Sequence, residues 1–451
     1  LTCLFAFAHG FGAPNAKAAS DPVPLIQVAA QGKLDLVRKL IAKGADVNAK
    51  INNGATALMV ASLNGHRDVA EALIAKGADV NAKTNDGATA LIVASQNGHR
   101  DVAEALIAKG ADVNAKANDG ATALIMASLN GRRDVVEALI AKGADVNAKE
   151  TNGATALLGA SQNGHRDIVG ALIAKGADVN AKDIDGASAL MGASQNGHRD
   201  VVETLIAKGA DVNGERNDGW TALMSASQHG RRDVAETLIA KGADVNGKNN
   251  NGWTALMSAS LQGHRDVAEV LIAKGAAVNT KENGGRAALM LAAYKGHVDL
   301  VKTLLANGAD VHLRTSEGKT ALDAAKEGGD AEAVALIERA SKTSQAGTTL
   351  GEQFQVDGWL ELWRTNTTDY TTTSPIDNNS WKTNIFLTSR DNIKYLLIIK
   401  NNSSADLEVG SDKFYRVTGK RFPLLGSLYN NPFIIDRSQT GINVSAIVRI
   451  N

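Results

Sequence analysis

Residues 84–116 read TNDGATALIVASQNGHRDVAEALIAKGADVNAK, and this stretch decides the fold of most of the chain. Asn85-Asp86-Gly87 is turn chemistry, with a glycine free to take positive φ. Thr89 is placed to cap a helix by accepting a hydrogen bond from an orphan amide. That helix is expected from Ala90 to about Asn97, with Gly98 stopping it as a left-handed residue. Asp101 then reads as the N-cap of a second helix, with Glu104 three residues on as in a capping box. Val102, Leu106 and Ile107 share a face at helical spacing. Lys109 suits the negative helix end, and Gly110 closes it.

The unit recurs. Gly54, Gly87, Gly120, Gly153, Gly186, Gly219 and Gly252 are each 33 residues apart, and a second series from Gly32 to Gly296 keeps the same step. About ten such units fill residues 18–342. Helices of about eight residues are not stable alone in water, so each must bury its apolar face on neighbouring units. Stability is then a sum of unit and nearest-neighbour contributions, and the ends need polar caps. Both ends are adapted: Lys33, Asp35, Arg38 and Lys39 charge the first unit, and Asp323, Lys326 and Glu327 the last.

These residues resemble the ankyrin-repeat family, through Gly-x-Thr-Ala-Leu, Ala-Ser, Gly-His, the second helix and Gly-Ala-Asp-Val-Asn. The resemblance implies an α solenoid of helix–turn–helix units joined by β-turns, with partners bound on a concave face of turn tips and first helices. The family's Thr-Pro-Leu-His box is Thr56-Ala57-Leu58-Met59 here. Loss of the proline removes a rigid helix start. Loss of the histidine removes a hydrogen-bond network that the family uses at the cap.

Candidate binding residues are those that break the repetition at the positions which the resemblance assigns to that face. The residue after the turn glycine is alanine at 55, 88, 121, 154 and 187, then Trp220, Trp253, Arg286 and Lys319. The first helices of the late units end in Gln228-His229, Leu261-Gln262 and Tyr294-Lys295. Trp, Tyr and Arg dominate binding hot spots, so Trp220, Trp253, Arg286, His229, Gln262, Tyr294 and Lys295 form the expected partner site. The competing reading is that both tryptophans pack on neighbouring turns or on the C-terminal domain.

Other chemistries lack residues. His66, His99, His165, His198 and His264 recur singly, one per unit, whereas a metal site converges several ligands on one point. They read as supports of the turn between helices. Residues 242–248, GADVNGK, approach a phosphate loop, but Asn249 stands where Ser or Thr would hold magnesium and no strand precedes. No G-x-S-x-G or H-E-x-x-H occurs, and no motif requires a cofactor. Lys+Arg and Asp+Glu balance at 48 each, which argues against nucleic acid as the partner.

The repeat pattern fails at both ends. Residues 1–12 are an apolar run too short to span a bilayer, followed by Ala16-Lys17-Ala18, a small-x-small site of the kind signal peptidase cuts. Residues 1–18 therefore read as a secretory signal without its basic start; a buried N-terminal helix is the alternative. Cleavage there would remove Cys3, the single cysteine. No segment of the mature chain is long and apolar enough to cross a membrane. Beyond residue 342 a Ser/Thr/Gly-rich linker is expected at 343–351, then a small β domain at 352–451. Runs at 358–363, 384–387, 395–400, 413–418 and 442–450 suggest about five strands. Their order resembles a small oligonucleotide/oligosaccharide-binding barrel; a β-sandwich is the alternative.

The expectation is a non-enzymatic, monomeric protein–protein interaction scaffold, exported to a bacterial periplasm or outside the cell. The solenoid spans residues 19–342. In the alternative, the C-terminal domain holds an oligosaccharide or peptide and the repeats position it.

Overall fold

The computed structural model describes residues 22–348 and, beyond them, strands at 381–388, 394–401, 433–436, 443–444 and 448–450. The chain divides into two compact units between Glu338 and Arg339. In the first, the described residues form helices in successive pairs, such as Ala90–Asn97 with Arg100–Ala108. Thr89 Oγ1 accepts from Ile92 N at 3.3 Å, as expected of a cap, and Gly98 ends the helix at φ +83°. The same cap recurs at Thr56, Thr122, Thr155, Ser188, Thr221 and Thr254. The threonine therefore keeps its capping bond where proline and histidine are absent.

The start of the second helix corrects the sequence reading. Arg100 is already helical and His99 is the N-cap, without a side-chain cap bond. Asp101 lies inside the first turn, where its carboxylate favours the positive helix end, and its Oδ1 accepts from Val102 N at 2.9 Å. Glu104 does not reach back to a cap amide; it pairs with Arg100 Nε at 2.8 Å, one turn earlier. With His99 as N-cap the third helical residue is Val102, so Glu104 lies too far along for a capping box, and the helix starts at the same position where Gly170 replaces the glutamate.

First helices pack on first helices of the next repeat, and second helices on second helices. Between the layers lie Leu58, Leu91, Leu124, Leu157, Leu190, Leu73, Leu106, Leu139 and Leu205, all fully buried. Burying one such leucine is worth roughly 1.5–3 kcal/mol. Of the expected face, Val102 and Leu106 are buried and Ile107 half-buried.

Three ladders of hydrogen bonds tie each repeat to the next. At the turn tips, Asn85 N donates to Asn53 O and Asn85 Nδ2 to Asn52 O, both at 2.9 Å. At the opposite end, Asn48 Nδ2 donates to Gly77 O at 3.0 Å while its Oδ1 accepts from Asp79 N at 2.7 Å. Between the helices, His99 Nε2 meets Leu63 O of the preceding repeat at 2.9 Å. His66, His165, His198, His264 and His297 repeat that contact. Arg132 and Arg231, standing in place of histidine, reproduce it with Nε on Gln96 O and Gln195 O. The histidines are thus inter-repeat braces. The close fit explains Gly65: its φ is +75°, and a Cβ there would lie 2.5 Å from His99 Nδ1.

The array ends as a polar cap. Thr320 and Asp323 form a reciprocal capping box, with Thr320 N donating to Asp323 Oδ2 at 2.8 Å. The last helix runs Ala331–Thr348, through most of the stretch whose composition suggests a linker. Its opening, AEAVALIERASK, is rich in helix formers, and propagation past it adds one bond per residue fixed.

In the second unit the described strands form one mixed sheet. β1 (Trp381–Thr388) pairs antiparallel with β2 (Lys394–Asn401) along its whole length, from Trp381↔Asn401 to Thr388↔Lys394. β2 then meets β3 (Phe433–Asp436) in parallel over Leu397–Lys400 and β5 (Val448–Ile450) antiparallel over Lys394–Leu396. β4 (Asn443–Val444) adds to β3. The runs expected at 384–387 and 395–400 fall within β1 and β2, and β4 and β5 share the run at 442–450. β3 falls in none of the expected runs. The runs at 358–363 and 413–418, barrel closure and the N-terminal signal lie outside the described residues.

Candidate functional site

The late repeats differ from the early ones by an exchange of bulk. Trp220 follows the turn glycine, and its Nε1 donates to Ser225 Oγ at 3.0 Å, so this position packs against the first-helix residue five places on. Ser225 Oγ donates in turn to Thr221 O at 3.1 Å. In early repeats the same pair of positions holds Ala55 with Val60, Ala88 with Val93 and Ala121 with Met126, all buried. There the helix supplies the volume and the turn stays small. At Trp220/Ser225 and Trp253/Ser258 the turn supplies it and the helix residue is serine. Both indoles are half-buried, so each packs inward on one side and faces solvent on the other. At Ala154/Gly159 and Ala187/Gly192 neither partner is large, and both alanines become half-buried.

Arg286 adds a cation to this face. Its Cζ lies 5.7 Å from the Trp253 ring centroid. Glu282 fixes it there: Oε1 accepts from Arg286 N and from Arg286 Nε, each at 3.0 Å, and Oε2 accepts from Gly284 N at 2.8 Å. The Glu282 side chain is 6% exposed, that of Arg286 51%. Burial pushes the Glu282 carboxyl up, but the amides of Gly284 and Arg286 together with the guanidinium outweigh it and hold the pKa below the usual glutamate value. Arg286 thus links the Trp253 ring to the buried Glu282 carboxylate in one cluster.

The remaining candidates are placed less tightly. Tyr294 ends the helix Ala288–Tyr294 at 48% exposure, with Lys295 Nζ 5.6 Å from its ring. His229 is exposed and caps the helix Ala222–Gln228, its Nδ1 3.0 Å from Ser225 O, as the asparagines at 64, 97, 130 and 163 do with Nδ2. Gln262 is exposed at the end of the helix Ala255–Gln262. The structure therefore joins Trp253 to Arg286 and Tyr294 to Lys295. Among the described residues no hydrogen bond, ion pair or ring contact joins His229 or Gln262 to either pair.

Two residues were missed in the sequence. Glu282 lies in a turn position that varies freely between repeats, and its role needs the structure. Ile184 was legible: it stands at a tip position that is asparagine at 85, 118, 217 and 250, and it is 65% exposed. On the second-helix side the arginines are paired one turn along with glutamates. A groove of about 530 Å³ on the second-helix side is lined by Arg67, Glu71, Arg100, Glu104, Lys109 and Glu137 among others. Its arginines are already bonded to glutamates at 2.9 and 2.8 Å. Among the described residues no group of three or more His, Cys, Asp or Glu could hold a metal, and no helix is long and apolar enough to cross a membrane.

Comparison with family models places this geometry in its class. Overlapping matches to the model of ankyrin repeats (3 copies) cover residues 25–117, 109–183, 160–249, 190–282, 242–315 and 277–346. The chain belongs to the ankyrin-repeat family, whose repeats mediate protein–protein interaction. No curated protein matches the chain.

Proposed function

We propose that the chain is a non-enzymatic scaffold that binds a partner protein on the late-repeat face carrying Trp220, Trp253, Arg286, His229, Gln262, Tyr294 and Lys295. The observation that carries this reading is Arg286, stacked on Trp253 and held by the buried Glu282. A side chain ordered before binding loses little entropy on association, and Arg and Trp are hot-spot types. The half-buried indoles each leave part of the ring for a partner; the competing packing reading holds instead if alanine at both sites lowers the melting temperature and leaves binding unchanged. Export to a periplasm or beyond is part of the proposal; it rests on the apolar run at 1–12 and Ala16-Lys17-Ala18.

The test is affinity capture with the full chain and with a Trp220→Ala/Trp253→Ala variant, each checked for folding by circular dichroism. A protein enriched on the first and lost from the folded second supports the reading. Equal enrichment on both overturns the site.

A further inference from the structure

We propose that the late-repeat face recognises an acidic segment of its partner, with a carboxylate forked onto the Nη groups of Arg286. This rests on the reading of that face as a partner site and names the chemistry of what it takes.

Glu282 engages only Nε of the guanidinium, and no hydrogen bond among the described residues uses either Nη. With Nε taken by Glu282 and the Arg286 side chain 51% exposed, the two Nη groups remain available to a partner. A planar guanidinium held in this way matches a carboxylate by two parallel hydrogen bonds.

The surroundings have the complementary sign. The turns at 248–253, 281–286 and 314–319 carry Lys248, Lys281, Arg286, Arg314 and Lys319 against only Glu282 and Glu317. Lys281 Nζ and Arg314 Nη1 donate to backbone carbonyls at 2.5 and 2.7 Å and form no ion pair within 4 Å among the described residues, although Arg314 is near enough to act on the Asp323 carboxyl. Lys295 adds a further exposed cation beside Tyr294. The equivalent turns at 83–88, 116–121 and 149–154 each balance one lysine with one acid, and those at 182–187 and 215–220 carry one cation against two acids, so among the turns from 83 on the net positive charge falls at 248–319. A nucleic-acid strand fits this face less well than a protein carboxylate. Glu317 and Glu327 both lie against Lys319, at 3.5 and 2.7 Å, and interrupt any continuous basic track.

The probes are two pooled libraries of fluorescein-labelled decapeptides, one with two Asp or Glu residues at every spacing and one with Lys in their place. Binding to the full chain is read by anisotropy at low and at high salt, beside a single-stranded oligonucleotide. The acidic pool should bind, weaken with salt, and bind about tenfold more weakly to Arg286→Lys, which keeps the charge and loses the fork. Arg286 is half exposed, so the variant is expected to fold, and its melting curve verifies this. An acidic pool no tighter than the lysine pool, an oligonucleotide as tight as the acidic pool, or an unchanged Arg286→Lys would overturn the proposal. If the capture experiment loses its protein in the tryptophan variant while the pools do not discriminate, the partner site stands and only its acidic preference fails. Retention of that protein by the tryptophan variant refutes the site itself.

Discussion

Replacing the buried serines of the first helices by alanine should make the array more stable. Ser62, Ser95, Ser128, Ser161, Ser194, Ser227 and Ser260 are 0% exposed, and the hydroxyl of each has no hydrogen-bond partner. A buried unsatisfied hydroxyl costs about 1–3 kcal/mol. Alanine also exceeds serine in helix propensity by up to about 0.5 kcal/mol. Removing one oxygen leaves little void, and the chain contains the control: Ala293 holds the same position in the ninth repeat and is fully buried. Ser95→Ala should therefore stabilise by about 1–2 kcal/mol, and Ala293→Ser should destabilise by a similar amount. The assay is urea unfolding of the full chain followed by far-ultraviolet circular dichroism, comparing transition midpoints at constant slope. A loss of about 1 kcal/mol or more in Ser95→Ala would show that the hydroxyl has a partner and refute the reasoning.

Three further outcomes follow from the same structure. Gly170 interrupts the series Arg67–Glu71, Arg100–Glu104, Arg133–Glu137, and a Cβ there meets nothing within 4 Å. Gly170→Glu should raise stability by about 1 kcal/mol through helix propensity and the restored pair; a lower urea midpoint would contradict this. His99→Ala should destabilise by roughly 1 kcal/mol by removing the brace to Leu63 O, while His99→Arg should be tolerated, as Arg132 and Arg231 show. Equal loss in both variants would mean that the ring, not the bond, is what the site needs. The Asp323 pKa is lowered by the bonds it accepts from Thr320 N and then Thr320 Oγ1. Its stabilising contribution is fully present above the unfolded aspartate value and is lost as pH falls through the folded one. Amide protection factors in the helix Ala321–Gly328, corrected for the intrinsic slowing of exchange at low pH, should therefore fall on acidification, and Asp323→Asn should remove that dependence; an unchanged profile would argue against it.

Much of the array is legible from the sequence because its determinants are local. Thr89 and Gly98 act on residues within a turn of themselves, so their types announce their roles. Asp101 misleads for the same reason: residue type alone does not tell an N-cap from a first-turn acid, and the helix starts at the preceding arginine even where Gly170 replaces the glutamate. The braces made by His99 join residues 36 apart, and the Arg286–Trp253 stack joins successive repeats. Such contacts become visible only when the 33-residue period is converted into stacked neighbours. The sequence marked Trp253 and Arg286 as exceptions to the repetition, but not that Glu282 binds them into one cluster. Ile184 is an exception of the same kind, placed at the turn tip and not after the glycine.

Site-specific photo-crosslinking tests the central claim most directly. A benzophenone side chain would be placed in the full chain at position 294 on the late-repeat face and, separately, at position 104 on the second-helix side. Irradiation in an extract of exported proteins should give a discrete protein adduct from position 294 and none from position 104. Adducts from position 104 alone, or none from either position, would contradict the account.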